Sequence, residues 1–571
     1  MRPMDTVFDY LIIGAGAAGS VLAHRLSADP RARVALVEAG ADLLPGREPA
    51  DITNIFPLSA FNHDYMWRDT RVHWRRADNS PAVPLQQGKI MGGSTAIMGM
   101  WALRGMPGDY DGWRDAGARG WGWDDVLPYF VGLEHDMDFA GAMHGKTGPI
   151  PIRRETEAQW QPLARAVSHA SRRLGMPQID DMNADFRDGH CSLPISRRAN
   201  SRASAGLCYL DADTRQRANL TIFAQTEATR LIVEGRKVTG AQLLRADGSQ
   251  MSAYAHETIV TAGALRTPAL LLRSGIGPAK HLAEMNLRVV ADRAGVGRNL
   301  QNHPIVFTTA LLQPDGRDAP GWRPAGSTYL RWSSAHEKCP RGDLGLYVRS
   351  YLSWHALGRQ LASLAPVLMR PFSSGEVALD PAKPDGAPRV AFNFLSDSRD
   401  MTRLLDGMRM AIDMFAAPEV SAMCGAPFIL EDVAGLMRYN HVSRWNAIRA
   451  RVAATWIDTD PRGGMRTLER FASMRSLAAF TADEEGLVRL IEKAVTGTGH
   501  VCGTCRMGDA ADPMAVTSPT GKVYGVDGLR VADASVMPSV PSGNTHIPTI
   551  MVAEKIAAAM TGRAHTTRLA G

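Results

Sequence analysis

The chain has no stretch reaching the roughly 18 uninterrupted apolar residues that a helical membrane span requires, so no span is expected. Its start, Met1 to Thr6, runs directly into Val7–Ile13, without a basic region, apolar stretch and small-residue cleavage site. No signal peptide is read, and the cytoplasm is the expected address. Cysteine is scarce, with six in 571 residues, which rules out a disulfide framework. Cys502 and Cys505 form a CxxC, but no second pair accompanies them, and Gly503-Thr504 between them points to a buried turn rather than a redox or zinc site. No metal is expected. Lys and Arg are dispersed, with no run of five or more and no nucleic-acid motif. The net charge of +6 reads as a solvated basic surface, and nucleic acid is excluded as a partner.

What is present is an ample core and a nucleotide cradle. At 571 residues and 45% hydrophobic content the chain exceeds the size of one core, so more than one domain is expected. Val7–Ile13 is an apolar, β-branched run that predicts a buried parallel strand. It ends in Gly14-Ala15-Gly16-Ala17-Ala18-Gly19, a GxGxxG, followed by apolar residues at helical spacing and a second strand, Val34–Val37, closing on Glu38 and Ala39. Gly14 makes the tight turn, Gly16 admits a pyrophosphate against the backbone, and Gly19 lets helix and strand approach. Free N–H groups and the helix dipole favour the phosphates. Glu38 is placed to accept hydrogen bonds from the adenosine ribose hydroxyls, and an acid there argues against NADP. FAD and NAD both remain open on this evidence.

Further blocks decide between them. Gly88–Thr95 (GKIMGGST), Thr261–Ala269 (TAGALRTPA), Ser274–Pro278, Gly295–Gln301 with His303, and the C-terminal set His500, Gly503-Thr504, Asp533-Ala534-Ser535 and Gly543-Asn544-Thr545 resemble the glucose–methanol–choline (GMC) oxidoreductases in order and spacing. Gly148–Ile152 and Ile179–Asn183 look most like the bacterial 5-hydroxymethylfurfural oxidases of that family. The resemblance implies an α/β, α+β overall, architecture. A Rossmann-like FAD-binding domain (1–150, 215–310 and 495–571) would interleave with a substrate domain on an antiparallel sheet with helices (151–214 and 311–494).

The same resemblance implies FAD-dependent oxidation of a primary alcohol, aryl or furanic, to an aldehyde. Hydride passes to flavin N5, His500 is the base and Asn544 its partner. Electrons would leave to O2 or, in a dehydrogenase, to a quinone. The implied cofactor-binding set is Gly14, Gly16, Ala17, Ala18, Gly19, Glu38, Ala39, Gly92, Gly93, Ser94, Met98, Ala228, Ala262, Gly263, Asp533, Ala534, Asn544 and Thr545. Ala228 would act through its backbone. Asp533 would lie by the ribityl or pyrophosphate, or cap a helix. Relatives with covalent flavin carry a His in the glycine-rich loop; Ser94–Met98 has none, so dissociable FAD is expected.

Departures from the family pattern are Met98 and Asn302, where relatives carry Asn and Asp, and His546, where many carry a second Asn. Asn302 and His303 are read as structural. Gly499 replaces a Trp before the base and should open space for bulky arylmethanols or substituted furans. Arg370 is expected to face the pocket and favour a carboxylate or another polar group. The Arg- and Trp-bearing segment 438–480 reads as a lid, an oligomer contact or a surface helix pair. A light-driven decarboxylase on this fold is disfavoured by Met369, where such enzymes have Cys, and by His500. A hydroxynitrile-type lyase is the other alternative.

Overall fold

The structure, a computed structural model, describes residues 7–562 except 320, 322, 338, 431–437, 473, 481 and 482. The start of the chain, residues 1–6, on which the leader expectation partly rests, and residue 473 of the 438–480 segment lie outside the described residues.

The expected strand–loop–helix–strand unit is present. The strand Val7–Ile13 buries Leu11, Ile12 and Ile13, and pairs in parallel with Val34–Val37 on one side and Gln250–Val260 on the other. Leu220–Phe223 and Leu529–Val531 extend the sheet at its two sides, also in parallel. An antiparallel meander of Thr226–Glu234 and Lys237–Arg245 joins it through Gln250–Val260, making seven strands among the described residues. The parallel strands all finish at one edge, so the segments after Ile13, Val37, Val260 and Val531 come together there. That edge is where open α/β sheets bind their ligands.

The second sheet has nine described strands and is antiparallel throughout. Its centre is Leu361–Leu368 between Thr308–Leu311 and Leu344–Arg349. Successive residues point to opposite faces. Leu346, Val348 and Leu364 pack with Ala411, Met414 and Phe415 of the helix Ser398–Ala416. Tyr347, Ala365 and Val367 pack with Met100 and Trp101 on the other face, toward the first sheet.

In the 438–480 segment, Arg444–Thr459 and Pro461–Ala472 are helices. The first turns Ala450, Ala454 and Ile457 inward, and Gln360 Nε2 donates to its Ala454 carbonyl. No helix among the described residues is long and apolar enough to cross a membrane.

Candidate active site

Between the two sheets lies a cavity of about 1880 Å³. One end is bounded by the carboxyl edge of the parallel sheet, the other by the antiparallel sheet, and Ile448, Val452 and Trp456 of the helix Arg444–Thr459 border it. The cavity is lined by Gly14, Gly16, Ala17, Ala18, Glu38, Ala39, Gly93, Ser94, Met98, Ala228, Ala262, Gly263, Asp533, Ala534, Asn544, Thr545, Gly499, His500 and His546. These residues come from segments more than five hundred positions apart in the chain, and folding brings them onto one surface.

The cradle fits an FAD molecule. Gly14 has φ +101°, and a Cβ there would stand 2.6 Å from the Thr261 carbonyl oxygen, so the turn needs glycine. At Gly16 a Cβ would meet nothing within 4 Å. The space beside that backbone, at the N-terminus of the helix Ala17–Leu26, is free for a pyrophosphate. Gly19 and Gly92 do not line the cavity. Gly19 lets the helix lie on the loop, where a Cβ would be 1.8 Å from the Gly14 carbonyl oxygen. Gly92 sits one layer behind and donates its N–H to the Ala15 carbonyl at 2.7 Å.

The two acids expected to meet the cofactor also brace the backbone. Glu38 accepts from Ala15 N–H at 2.9 Å and from Gly40 N–H at 2.8 Å, and burial pushes its carboxyl up to about 7. Asp533 accepts from Gly263 N–H at 2.8 Å, the Thr267 hydroxyl at 2.6 Å and Ser535 N–H at 2.8 Å. It thereby caps the short 3-10 helix Ala534–Val536, and burial raises its carboxyl as well.

At the far end, His500 is held on both ring nitrogens. Nδ1 lies 2.9 Å from His303 Nδ1 and 2.8 Å from Thr498 Oγ1, while Nε2 lies 2.9 Å from Asn544 Nδ2. Asn302 Oδ1 accepts from the His500 and His303 backbone N–H groups and from the Thr498 hydroxyl. The protons can be assigned by following the acceptors. His303 Nε2 faces the Pro541 carbonyl at 3.1 Å, and a carbonyl only accepts, so Nε2 carries hydrogen. Burial, reinforced by His500, holds His303 well below its ordinary pKa, so it is neutral and its Nδ1 is a lone pair. His500 Nδ1 then donates to it, which leaves the Nε2 lone pair of His500 toward Asn544 and the cavity. Burial, and secondarily the Arg349 guanidinium, pushes His500 down to about 3. Asn302 and His303, read from sequence as structural, are thus direct supports of His500.

His546 begins the helix His546–Thr561. Neither of its ring nitrogens has a hydrogen-bond partner among the described residues, and burial pushes it down to about 4.

Arg370 corrects an expectation. It does not line the cavity: its Nη1 pairs with Asp109, which also accepts from the Ser542 N–H and hydroxyl. The buried carboxylate draws the guanidinium behind the His303 wall. Arg349 does line the cavity, and the sequence reading missed it. Its one signal was a charge closing the apolar run Leu344–Val348.

Two clusters away from the cavity are structural. Cys502 and Cys505 are buried free thiols in the core, pushed up by burial. Glu134, Asp136 and His144 lie close enough to hold an ion. However, Glu134 pairs with Arg104, and Asp136 and Asp181 pair with Arg154. Burial pulls His144 down, but Asp136, Asp181 and Glu134 outweigh it and hold the imidazole up at about 10. Three carboxylates thus face three cations, leaving no net charge to attract a metal.

Residues 8–305 and 371–553 match the N- and C-terminal regions of the GMC oxidoreductase family. The chain is 38% identical to a 5-(hydroxymethyl)furfural oxidase of Methylovorus sp. (strain MP688), over 97% of this chain and 99% of that protein. It is 30% identical to a glucose dehydrogenase [FAD, quinone] of Drosophila melanogaster, over 96% and 86%. Among solved structures, pyridoxine 4-oxidase from Mesorbium loti superposes with a TM-score of 0.81 at 26% identity, covering 98% of this chain and 100% of that one.

Proposed function

Because the chain belongs to the GMC oxidoreductase family of FAD-dependent alcohol oxidoreductases, we propose that it oxidises a primary aryl or furanic alcohol to the aldehyde. The observation that carries this reading is the outward lone pair of His500 Nε2, fixed by the His303 contact behind it. FAD, when bound, supplies the acceptor for the hydride that leaves the carbinol carbon. The alcohol oxygen displaces the Asn544 amide from His500 Nε2, so that Nε2 takes the hydroxyl proton while the amide donates to the alcohol oxygen. A positioned base of this kind contributes about 10²–10⁴-fold. Burial keeps His500 neutral, with Nε2 unprotonated, throughout the ordinary pH range.

Gly14, Gly16, Ala17 and Ala18 would hold the pyrophosphate, Glu38 and Ala39 the adenosine ribose, and the Ala228 backbone the adenine. Gly93, Ser94, Met98, Ala262, Gly263, Ala534 and Thr545 would hold the flavin end. The FAD is dissociable, since Ser94–Met98 has no histidine. The acceptor of electrons is O2, in line with the printed name of the Methylovorus relative.

Anaerobic mixing with 5-(hydroxymethyl)furfural or benzyl alcohol tests the reading. Bleaching of the flavin band is expected, followed by rapid recovery on admitting O2. No bleaching with either alcohol would overturn alcohol oxidation. Recovery only with a quinone would make the enzyme a dehydrogenase. Acid precipitation should leave a colourless pellet and FAD in solution.

A further inference from the structure

Arg349 closes the strand Leu344–Arg349, on the sheet face that looks into the cavity. Tyr347, two residues earlier, shares that face, with its ring against Trp101 at 4.4 Å and its hydroxyl beside Asn544. The guanidinium lies 5.6 Å from the centre of the Phe307 ring, and it bears on the charge state of His500. It shares the cavity with His500 and Asn544.

Arg349 makes no ion pair and no side-chain hydrogen bond among the described residues, and its Nε is enclosed without a partner. Of the other guanidiniums bordering the cavity, Arg449 is solvent-exposed, Arg68 pairs with Asp64, and the rest are answered as well. Arg266 pairs with Asp69 and stacks on Trp67, Arg75 faces Glu492, and Arg273 donates to the Pro384 and Gly386 carbonyls. The carboxylates bordering the cavity either lie at its nucleotide end, as Glu38 and Asp533 do, or are engaged elsewhere, as Glu492 is. A half-buried cation with its Nε enclosed and no counter-charge is costly. The distant Phe307 ring is a weak substitute. A fixed, planar fork of this kind matches a carboxylate, which it can bind through two parallel hydrogen bonds.

We propose that Arg349 is an anion anchor: the site takes an alcohol that also carries a carboxylate, seated on the Arg349 guanidinium, with its carbinol at His500 and Asn544. The inference rests on the alcohol-oxidation reading above and narrows it to hydroxymethyl-substituted aromatic or furanic acids. The chemistry agrees with the placement. An unanswered Arg349 disfavours a proton on His500, and a carboxylate on Arg349 cancels that charge. The acid substrate thereby makes His500 a better base at the moment it is needed.

The test uses the FAD-loaded enzyme and two pairs of probes. Titration calorimetry compares benzoate with benzamide, which are not oxidised. Turnover compares 4-(hydroxymethyl)benzoate with 4-(hydroxymethyl)benzamide. Wild type should bind benzoate at least tenfold more tightly than benzamide. Arg349→Gln should bring the two within threefold, and should lower the acid-to-amide ratio of kcat/KM at least tenfold. Arg349→Lys, which keeps the charge without the fork, should retain part of the preference. Equal binding of both probes by wild type, or a preference undiminished in Arg349→Gln, overturns the anchor. If the Gln variant does not fold, the wild-type comparison and Arg349→Lys still decide. Arg349-dependent benzoate binding without flavin bleaching by any alcohol would keep the anion site and remove alcohol oxidation. Bleaching without any Arg349-dependent preference would do the reverse.

Discussion

His303 Nδ1 and His500 Nδ1 stand 2.9 Å apart, and only one of the two can bring a hydrogen to that contact. The Pro541 carbonyl behind His303 settles which, because it must receive the His303 Nε2 hydrogen. The proton between the rings therefore belongs to His500, and the outer nitrogen of His500 is left as an acceptor. A backbone carbonyl two residues away from the substrate chamber thus selects the tautomer that a base requires.

Replacing His500 with Ala should leave a folded, FAD-containing protein whose flavin is reduced by alcohol about 10²-fold more slowly or worse. Stopped-flow reduction under anaerobic conditions measures this. A variant reduced within threefold of wild type would remove His500 from the chemistry.

His303→Leu keeps His500 but removes the acceptor behind it, freeing the imidazole to adopt the opposite tautomer through Thr498. The reduction rate should fall about tenfold, less than the full contribution of a base, with KM changed little. His303→Gln should recover part of the loss, since its carbonyl can accept from the same N–H. A purely structural histidine would show equal losses in both variants, together with loss of FAD or a lowered Tm.

Much of this arrangement was legible in the sequence where it is local. The strand, glycine loop and helix from Val7 to Leu26 follow from residue spacing alone, because each part depends on its immediate neighbours. Long-range pairing was not legible. Arg370 looked like a pocket residue because nothing near it in sequence reveals Asp109, a carboxylate 261 positions earlier. Arg349 went unnoticed because its meaning lies in a missing partner, which only folding exposes. His303 was passed over for the same reason: its neighbour His500 is 197 residues away.

The buried histidines set a pH window for folding. In the folded chain His500 is lowered to about 3 and His546 to about 4, both by burial first, and His303 is lowered well below its ordinary value. Unfolded histidines take up protons below about 6.5. Stability from these groups is therefore present above 6.5 and lost as pH falls toward the folded values. His144 has the opposite sign: held up at about 10, it stabilises fully below 6.5 and loses its contribution as pH rises through 10. Tm should accordingly fall on both sides of a broad neutral maximum. Replacing His144 with Gln should lower Tm at pH 7 while flattening the alkaline slope. An alkaline slope unchanged in that variant would contradict the assignment.

Two glycines of one motif should fail in different ways. Gly16→Val puts its branches into the open space of the cradle, so the protein should fold, with a Tm near that of wild-type apoprotein, yet retain no FAD. Gly19→Val drives a Cβ to 1.8 Å from the Gly14 carbonyl oxygen, so soluble protein should be lost along with flavin. Flavin content and circular dichroism separate the cases. Normal FAD occupancy in Gly16→Val would mean that the pyrophosphate lies elsewhere.

Gly499 combines two properties that one substitution would confuse. Its φ is +88°, where a side chain is strained, and a Cβ there would meet nothing within 4 Å. Gly499→Ala therefore carries the backbone cost, roughly 1–3 kcal/mol, while leaving the chamber nearly as wide. Gly499→Trp carries the same cost and fills the space beside His500. If the space admits large substrates, the two variants should differ in selectivity rather than in general fitness. Excluding a ring costs several kcal/mol of transition-state binding, and each 1.36 kcal/mol is about tenfold in rate. Relative to Gly499→Ala, the Trp variant should lose at least about tenfold in the kcat/KM ratio of a bulky arylmethanol over a small alcohol. Losses shared equally by large and small substrates, and alike in Ala and Trp, would assign Gly499 to backbone conformation alone. The open volume beside the base would then have no part in choosing the substrate.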